Sequence, residues 1–192
     1  MASQGPNNPS AASNDTSIGT LSWTTPTNVY SNNGARAYRG PMSSGEKTYY
    51  LKVTGFGFSI PSGATIDGIV IEYERNAPFS SGSIKDYAVR IVKGGTIGST
   101  DKSTATAWPG SEAYEAHGGS SDLWGESWTD SDINASNFGV AISAQCTASS
   151  GDYAQIDHVR ATVYYTAAAA GQPMALRQSQ FRQGFARVGR GF

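Results

Sequence analysis

The sequence predicts an all-β protein, an antiparallel β-sandwich of jelly-roll type with extended arms at both ends. Three observations carry that expectation. Residues 55–75 (GFGFSIPSGATIDGIVIEYER) read as a turn with strand on either side. Within it Ile69, Ile71 and Tyr73 alternate with Val70, Glu72 and Glu74, the period of a strand with one buried and one wetted face. The chain also holds 23 Gly among many Ser, Thr and aromatic residues, a mixture that favours turns and strands over helices. Finally, every other strongly periodic run repeats at two residues, and none has the length and period of an amphipathic helix.

The elements follow in order. Residues 1–20 are small, polar and interrupted by Pro, which predicts an extended N-terminal arm. Residues 21–166 form the sandwich domain. It starts with an edge strand over 21–30 that tolerates Pro26 and is anchored by Trp23. In residues 48–58 the buried parity changes from Tyr49, Leu51 and Val53 to Phe56 and Phe58. A bulge at Gly55 or Gly57 would restore one buried face. Residues 84–92 place Tyr87, Val89 and Ile91 inward. Residues 94–137 read as irregular, apart from a short helical turn capped by Thr129 or Asp130. Two strands close the domain: 138–146, with Phe138, Val140, Ile142, Ala144 and Cys146 inward, and 155–166, with Val159, Ala161, Val163 and Tyr165 inward.

Charge is low and unevenly placed. Only 15% of the residues are charged, against roughly 25% for an ordinary soluble chain. The resulting neutral, hydroxyl-rich surface suits a protein in an assembly or outside a cell. Residues 167–192 form an Ala/Gly hinge and a tail. From residue 171 onward the tail carries four Arg and no acid, so the rest of the chain bears −5 against a net charge of −1. Arg177, Phe181, Arg182, Phe185, Arg187, Arg190 and Phe192 are the candidate docking residues, since Arg and aromatic side chains are enriched at protein interfaces. Nucleic acid is not expected, because this charge is modest for phosphate binding. The single Cys146 excludes an internal disulfide. No run of about 20 apolar residues predicts a membrane span, and no leader peptide is expected.

Motifs for chemistry are sparse. Two His and one Cys at unrelated places are poor material for a zinc site. Asp130, Asp132 and Asn134 begin like a calcium loop, but Ala135 and Ala141 occupy its sixth and twelfth positions, so a helix cap fits better. No nucleophile elbow or phosphate loop occurs. The expectation is a non-enzyme without metal or cofactor. Trp108, Tyr114, Trp124 and Trp128 crowd one region and are candidate glycan-binding residues. Rings of this size also commonly pack beneath long loops.

Four runs, WTTPTNVYSNNGARAY, GFGFSIPSGATIDGIVIEYER, GGSSDLWGESWTDSDINASNFGVAI and DHVRATVYY, resemble bacteriophage virion structural proteins of the β-sandwich type. The resemblance covers residues 20–166. It implies a non-enzymatic virion component, either a capsid decoration protein or a neck- or tail-associated one. It also implies docking on other virion proteins and homo-oligomers, trimers among them. A carbohydrate-binding adhesin module is the alternative.

Overall fold

The computed structural model describes residues 1–79, 82–148 and 151–169. Ten strands make two antiparallel sheets that face each other across one core, the sandwich that the alternating pattern predicts. The strands are β1 (Ala2–Asn7), β2 (Ala11–Asp15), β3 (Ala37–Met42), β4 (Tyr50–Thr54), β5 (Thr65–Asn76), β6 (Ile84–Lys93), β7 (Thr96–Asp101), β8 (Ala113–Gly119), β9 (Gly139–Cys146) and β10 (Asp152–Thr166). The first sheet runs β1-β10-β5-β8, with β3 also on β10; the second runs β2-β4-β9-β6-β7. Apart from the β6–β7 hairpin, successive strands alternate between the sheets, so nearly every connection crosses the core.

β5 and β10 form the spine of the first sheet, paired from Gln155↔Asn76 to Thr166↔Thr65. Ile69, Ile71 and Tyr73 are fully buried, as their parity predicts, and so are Val159 and Val163. Facing them across the core are Leu51, Val53, Val89, Ile91, Val140 and Ile142 of the second sheet. Burying a side chain of this size contributes about 1.5–3 kcal/mol.

Several expectations need correction. Residues 1–20 are not an arm outside the sandwich. β1 pairs with β10, with Ala2 opposite Tyr165, and β2 pairs with β4, with Ala12 opposite Val53. Their side chains are mostly exposed, so no apolar alternation marks them. Amide side chains hold them instead by imitating the backbone. Asn14 Nδ2 donates to the Trp23 carbonyl and Asn14 Oδ1 accepts from the Trp23 N–H, at 2.9 and 2.8 Å. Gln4 makes a similar pair with Ser59.

Residues 21–30 are not a strand. They bridge briefly at Leu21 and Thr24, then wind into a 3-10 turn over Pro26–Val29, where Pro supplies the helical φ. Trp23 is the expected anchor, buried and donating its indole N–H to the Tyr49 carbonyl. The phase change near residue 55 is no bulge. β4 stops at Thr54, and Gly55 and Gly57 take positive φ (76° and 63°). Phe56 and Phe58 thereby turn onto Phe138.

A bulge does occur between Asp86 and Ala88 in β6. It sends Tyr87 outward, under the Lys47 ammonium, and turns Asp86 into the core. The stretch expected to be irregular supplies β7 and β8. The helical turn is α1 (Asp130–Asn134), capped by Thr129 in a reciprocal capping box with Asp132.

Candidate functional site

Asp86 organises a polar cluster in the interior. One oxygen, Oδ1, accepts from Tyr73 Oη (2.6 Å), Arg75 Nη1 (2.6 Å) and Trp108 Nε1 (2.9 Å). The other, Oδ2, accepts from the backbone and hydroxyl of Thr104. Arg75 also reaches Glu115 at 3.2 Å. Burial works against the Arg75 charge, but Tyr73, Asp86 and Glu115 outweigh it and hold its pKa above the usual value. The Tyr73 hydroxyl is pushed well up, first by burial and then by the Asp86 carboxylate.

His117 completes the cluster. It falls in the stretch 94–137 that reads as irregular in the sequence; the structure puts it on β8, pointing inward and stacked on the Tyr73 ring at 5.1 Å. Its Nδ1 lies 2.8 Å from the Lys102 carbonyl, so Nδ1 carries the proton. Its Nε2 has no hydrogen-bond partner among the described residues and sits 3.9 Å from Asp86 Oδ2. Burial lowers the His117 pKa against the opposing pull of Asp86. Chemically, this is a closed ionic core. Arg75 and Asp86 are both at most 1% exposed at their side chains, while Glu115 at the edge of the cluster is one-third exposed.

The four candidate glycan-binding residues do not form one platform. Trp108 and Trp124 are fully buried; their indole N–H groups bond Asp86 and the Ile69 carbonyl. Trp128 is half-buried, with its edge on Phe138 and the Lys93 ammonium over its ring. Only Tyr114 sits on the outer face of the first sheet.

That outer face carries the second cluster. Tyr114 Oη lies 2.8 Å from His158 Nδ1, and His158 Nε2 lies 3.0 Å from Asn8 Oδ1. His158 therefore donates to Asn8 and accepts from Tyr114. As the alternation predicts, His158 faces away from the core, yet Tyr114 and Asn8 help bury it. Its pKa falls, first by burial and then by the nearby Arg160 charge. Arg160 lies over the Tyr114 ring at 4.0 Å and grips both Glu72 oxygens. Arg36 pairs with Glu112, and Asn32 donates to Glu74. Burial, then repulsion from Glu112 and Asp157, raises the Glu74 pKa.

Next to this cluster lies a surface that sequence reasoning missed. Phe79 is 72% exposed and packs edge-on against Tyr153 at 5.3 Å, while Tyr38 stands 6.4 Å from Tyr153 on the other side. Tyr153 lies across Gly40, where a β-carbon would meet its ring at 2.4 Å. The available signal was a Phe in a Ser/Gly-rich turn, where no core requires one.

Among the described residues no group of three or more His, Cys, Asp or Glu could hold a metal ion, and no helix is long and apolar enough to cross a membrane. The docking candidates Arg177, Phe181, Arg182, Phe185, Arg187, Arg190 and Phe192 lie outside the described residues. Comparison with protein-family models, curated proteins and solved structures found no match.

Proposed function

We propose that the protein is a non-catalytic structural component of a bacteriophage virion, a decoration or neck- or tail-associated module. It docks on neighbouring virion proteins through the Arg/Phe segment 171–192. The observation that carries this reading is where the four recognisable runs fall. They belong to pieces that pack on one another, and their distinctive residues build the sandwich. Ile60 and Asn134 exchange two hydrogen bonds between two of the runs, at 2.7 and 2.9 Å. Trp124 of one run bonds Ile69 of another. Thr129 and Asp132 cap α1. What such runs encode is an architecture, so the work particular to this copy falls to its surface and its tail.

The strand order supports the jelly-roll form of the sandwich. Without β3 and β4, the sheets read β1-β10-β5-β8 and β2-β9-β6-β7, two four-stranded halves of an eight-stranded double sheet. Self-association into trimers follows from the resemblance and from the closed symmetry usual in oligomers.

The test is incorporation into phage particles. Full-length protein is expected to co-sediment with the particles at fixed stoichiometry, and protein lacking 171–192 to stay in the supernatant while remaining folded. Full occupancy by the truncated protein would remove the docking role of the tail. Absence of the full-length protein from particles would remove the virion reading.

A further inference from the structure

We infer that Asn33 is a self-modification site. Its side-chain amide closes onto the Gly34 backbone nitrogen, loses ammonia and opens to aspartate and isoaspartate, with Asp157 taking the backbone proton. The loop between the 3-10 turn and β3 assembles the groups for this reaction. Nothing in it depends on the virion reading.

The sequence supplies the first condition. Asn is among the thermolabile side chains, and Asn33-Gly34 is the one Asn-Gly pair in the chain. Ring closure brings the backbone nitrogen of the next residue onto the Asn side chain. A side chain on that next residue obstructs the approach, and Gly has none. Gly34 takes a φ of 78°, in the left-handed region, and a β-carbon there would meet nothing within 4 Å. Residues 31–35 are exposed, so water reaches the loop.

The fold supplies a partner for each atom that changes. The Gly34 N–H donates to Asp157 Oδ2 at 3.0 Å. Asp157 lies on β10 and is 2% exposed, so its carboxylate is held against that nitrogen. Asn33 Oδ1 accepts from the Ala35 N–H at 2.9 Å, which curls the side chain back along its own backbone. Asn33 Nδ2 donates to Ser31 Oγ at 3.0 Å. The N–H bond lies in the peptide plane, whereas the nitrogen attacks through the face of that plane. The Asp157 contact is therefore compatible with attack.

The reaction balances with water as the sole co-reactant, and nothing is oxidised or reduced. The Gly34 nitrogen bonds Asn33 Cγ as its proton passes to Asp157 Oδ2, a general-base step. Negative charge develops on Oδ1, where the Ala35 N–H already points. The Cγ–Nδ2 bond then breaks. The leaving nitrogen takes a proton from water and departs as ammonia, and Asp157 returns its own proton to water. What remains is a five-membered succinimide. Water adds to one of its two carbonyl carbons, and the ring opens to aspartate or to isoaspartate. Asn32 lacks this arrangement: Asn33 follows it, and its amide donates to Glu74 Oε2 at 2.6 Å and Tyr114 Oη at 3.3 Å. The product adds a carboxylate between Asn32, which bonds Glu74, and Gly34, which bonds Asp157. The isoaspartate form also lengthens the main chain by one carbon. The loop beside the outer face of the first sheet thereby carries a one-way chemical clock.

The test follows the peptide holding residue 33 by mass spectrometry while full-length protein stands in neutral buffer at physiological temperature. Electron-transfer fragmentation separates aspartate from isoaspartate. The same chain unfolded in urea, and the Asp157→Asn variant, run alongside. In the folded protein Asn33 should gain the mass of an amide-to-acid exchange at least as fast as in urea, with isoaspartate among the products and Asn32 intact. Asp157→Asn should slow the folded reaction about tenfold, under the roughly 10²–10⁴-fold of an enzyme's general base. Slower conversion in the folded protein than in urea would show that the loop locks Asn33, and would overturn the inference. An unchanged rate in folded Asp157→Asn would remove Asp157 as the base and overturn it as well. Should Asp157→Asn fail to fold, the folded and unfolded natural chains decide between them.

Discussion

The Asp86 cluster and the outer face of the first sheet are built from the same parts. Each contains a His, a Tyr, an Arg and carboxylates, and in each the His ring packs on the Tyr ring. They differ in water. Around Asp86 the Arg75 and Asp86 side chains are almost wholly buried, and the carboxylate takes up donors from several elements. On the outer face, Arg160 and Glu72 keep about a quarter of their side chains exposed. The same residue types therefore serve different ends. Inside, removing one partner strands a charge; outside, water replaces it. The interior cluster fixes how β5, β6 and β8 meet, while the outer face keeps its charges in contact with water.

The comparison breaks most sharply at Asp86. Asp86→Ala leaves the Arg75 charge, the Tyr73 hydroxyl and the Trp108 indole N–H without their acceptor. The expected loss is about 3–5 kcal/mol in chemical denaturation, a large share of a typical domain's stability. A loss below about 1 kcal/mol would show that water enters the cluster and that its burial has been overstated.

Acid should separate the two histidines. Both have folded pKa values below the ordinary 6.5, lowered first by burial. The unfolded chain therefore binds protons more readily just below pH 6.5, and stability falls as the pH drops from 6.5 toward each folded pKa. Removing the more deeply buried ring, in His117→Gln, should flatten this fall in urea titrations across pH 7.5–5 more than His158→Gln does. Equal flattening would put the two sites in the same environment.

A smaller effect is expected at the α1 cap. Thr129→Ala removes the hydroxyl that accepts from the Asp132 N–H and should cost about 1 kcal/mol in the same assay. Smallest is Glu72→Gln on the outer face, which should cost about 0.2–1 kcal/mol and less at high salt. A loss above about 2 kcal/mol there would make the outer face part of the fold's foundation.

The two regions were unequally legible. The central strands could be read because burial writes a two-residue period into β5 and β10. The N-terminal strands could not, because Asn14 and Gln4 secure them by side-chain hydrogen bonds that leave no apolar pattern. Tyr87 was misplaced because a bulge, which periodicity does not foresee, inverts the parity of β6 and brings Asp86 inside. The interior cluster was invisible for the same reason: its members are ordinary polar residues scattered over β5, β6, β8 and the loop between β7 and β8. Aromatic crowding at 108–128 was legible as a feature. Only the fold reveals that Trp108 and Trp124 pack inward and that, among the described residues, the exposed rings are Tyr38 and Phe79, flanking a half-buried Tyr153.

The central claim is that the sandwich is complete by Thr166, which leaves the segment beyond it for the proposed docking role. Urea unfolding of the full-length protein and of protein lacking 171–192, followed by tryptophan fluorescence, tests it most directly. The account predicts one cooperative transition for each, with unfolding free energies within about 1 kcal/mol, the range of a surface contact. A truncated protein that unfolds in two steps, or loses several kcal/mol, would make the tail a structural part of the domain and contradict the account.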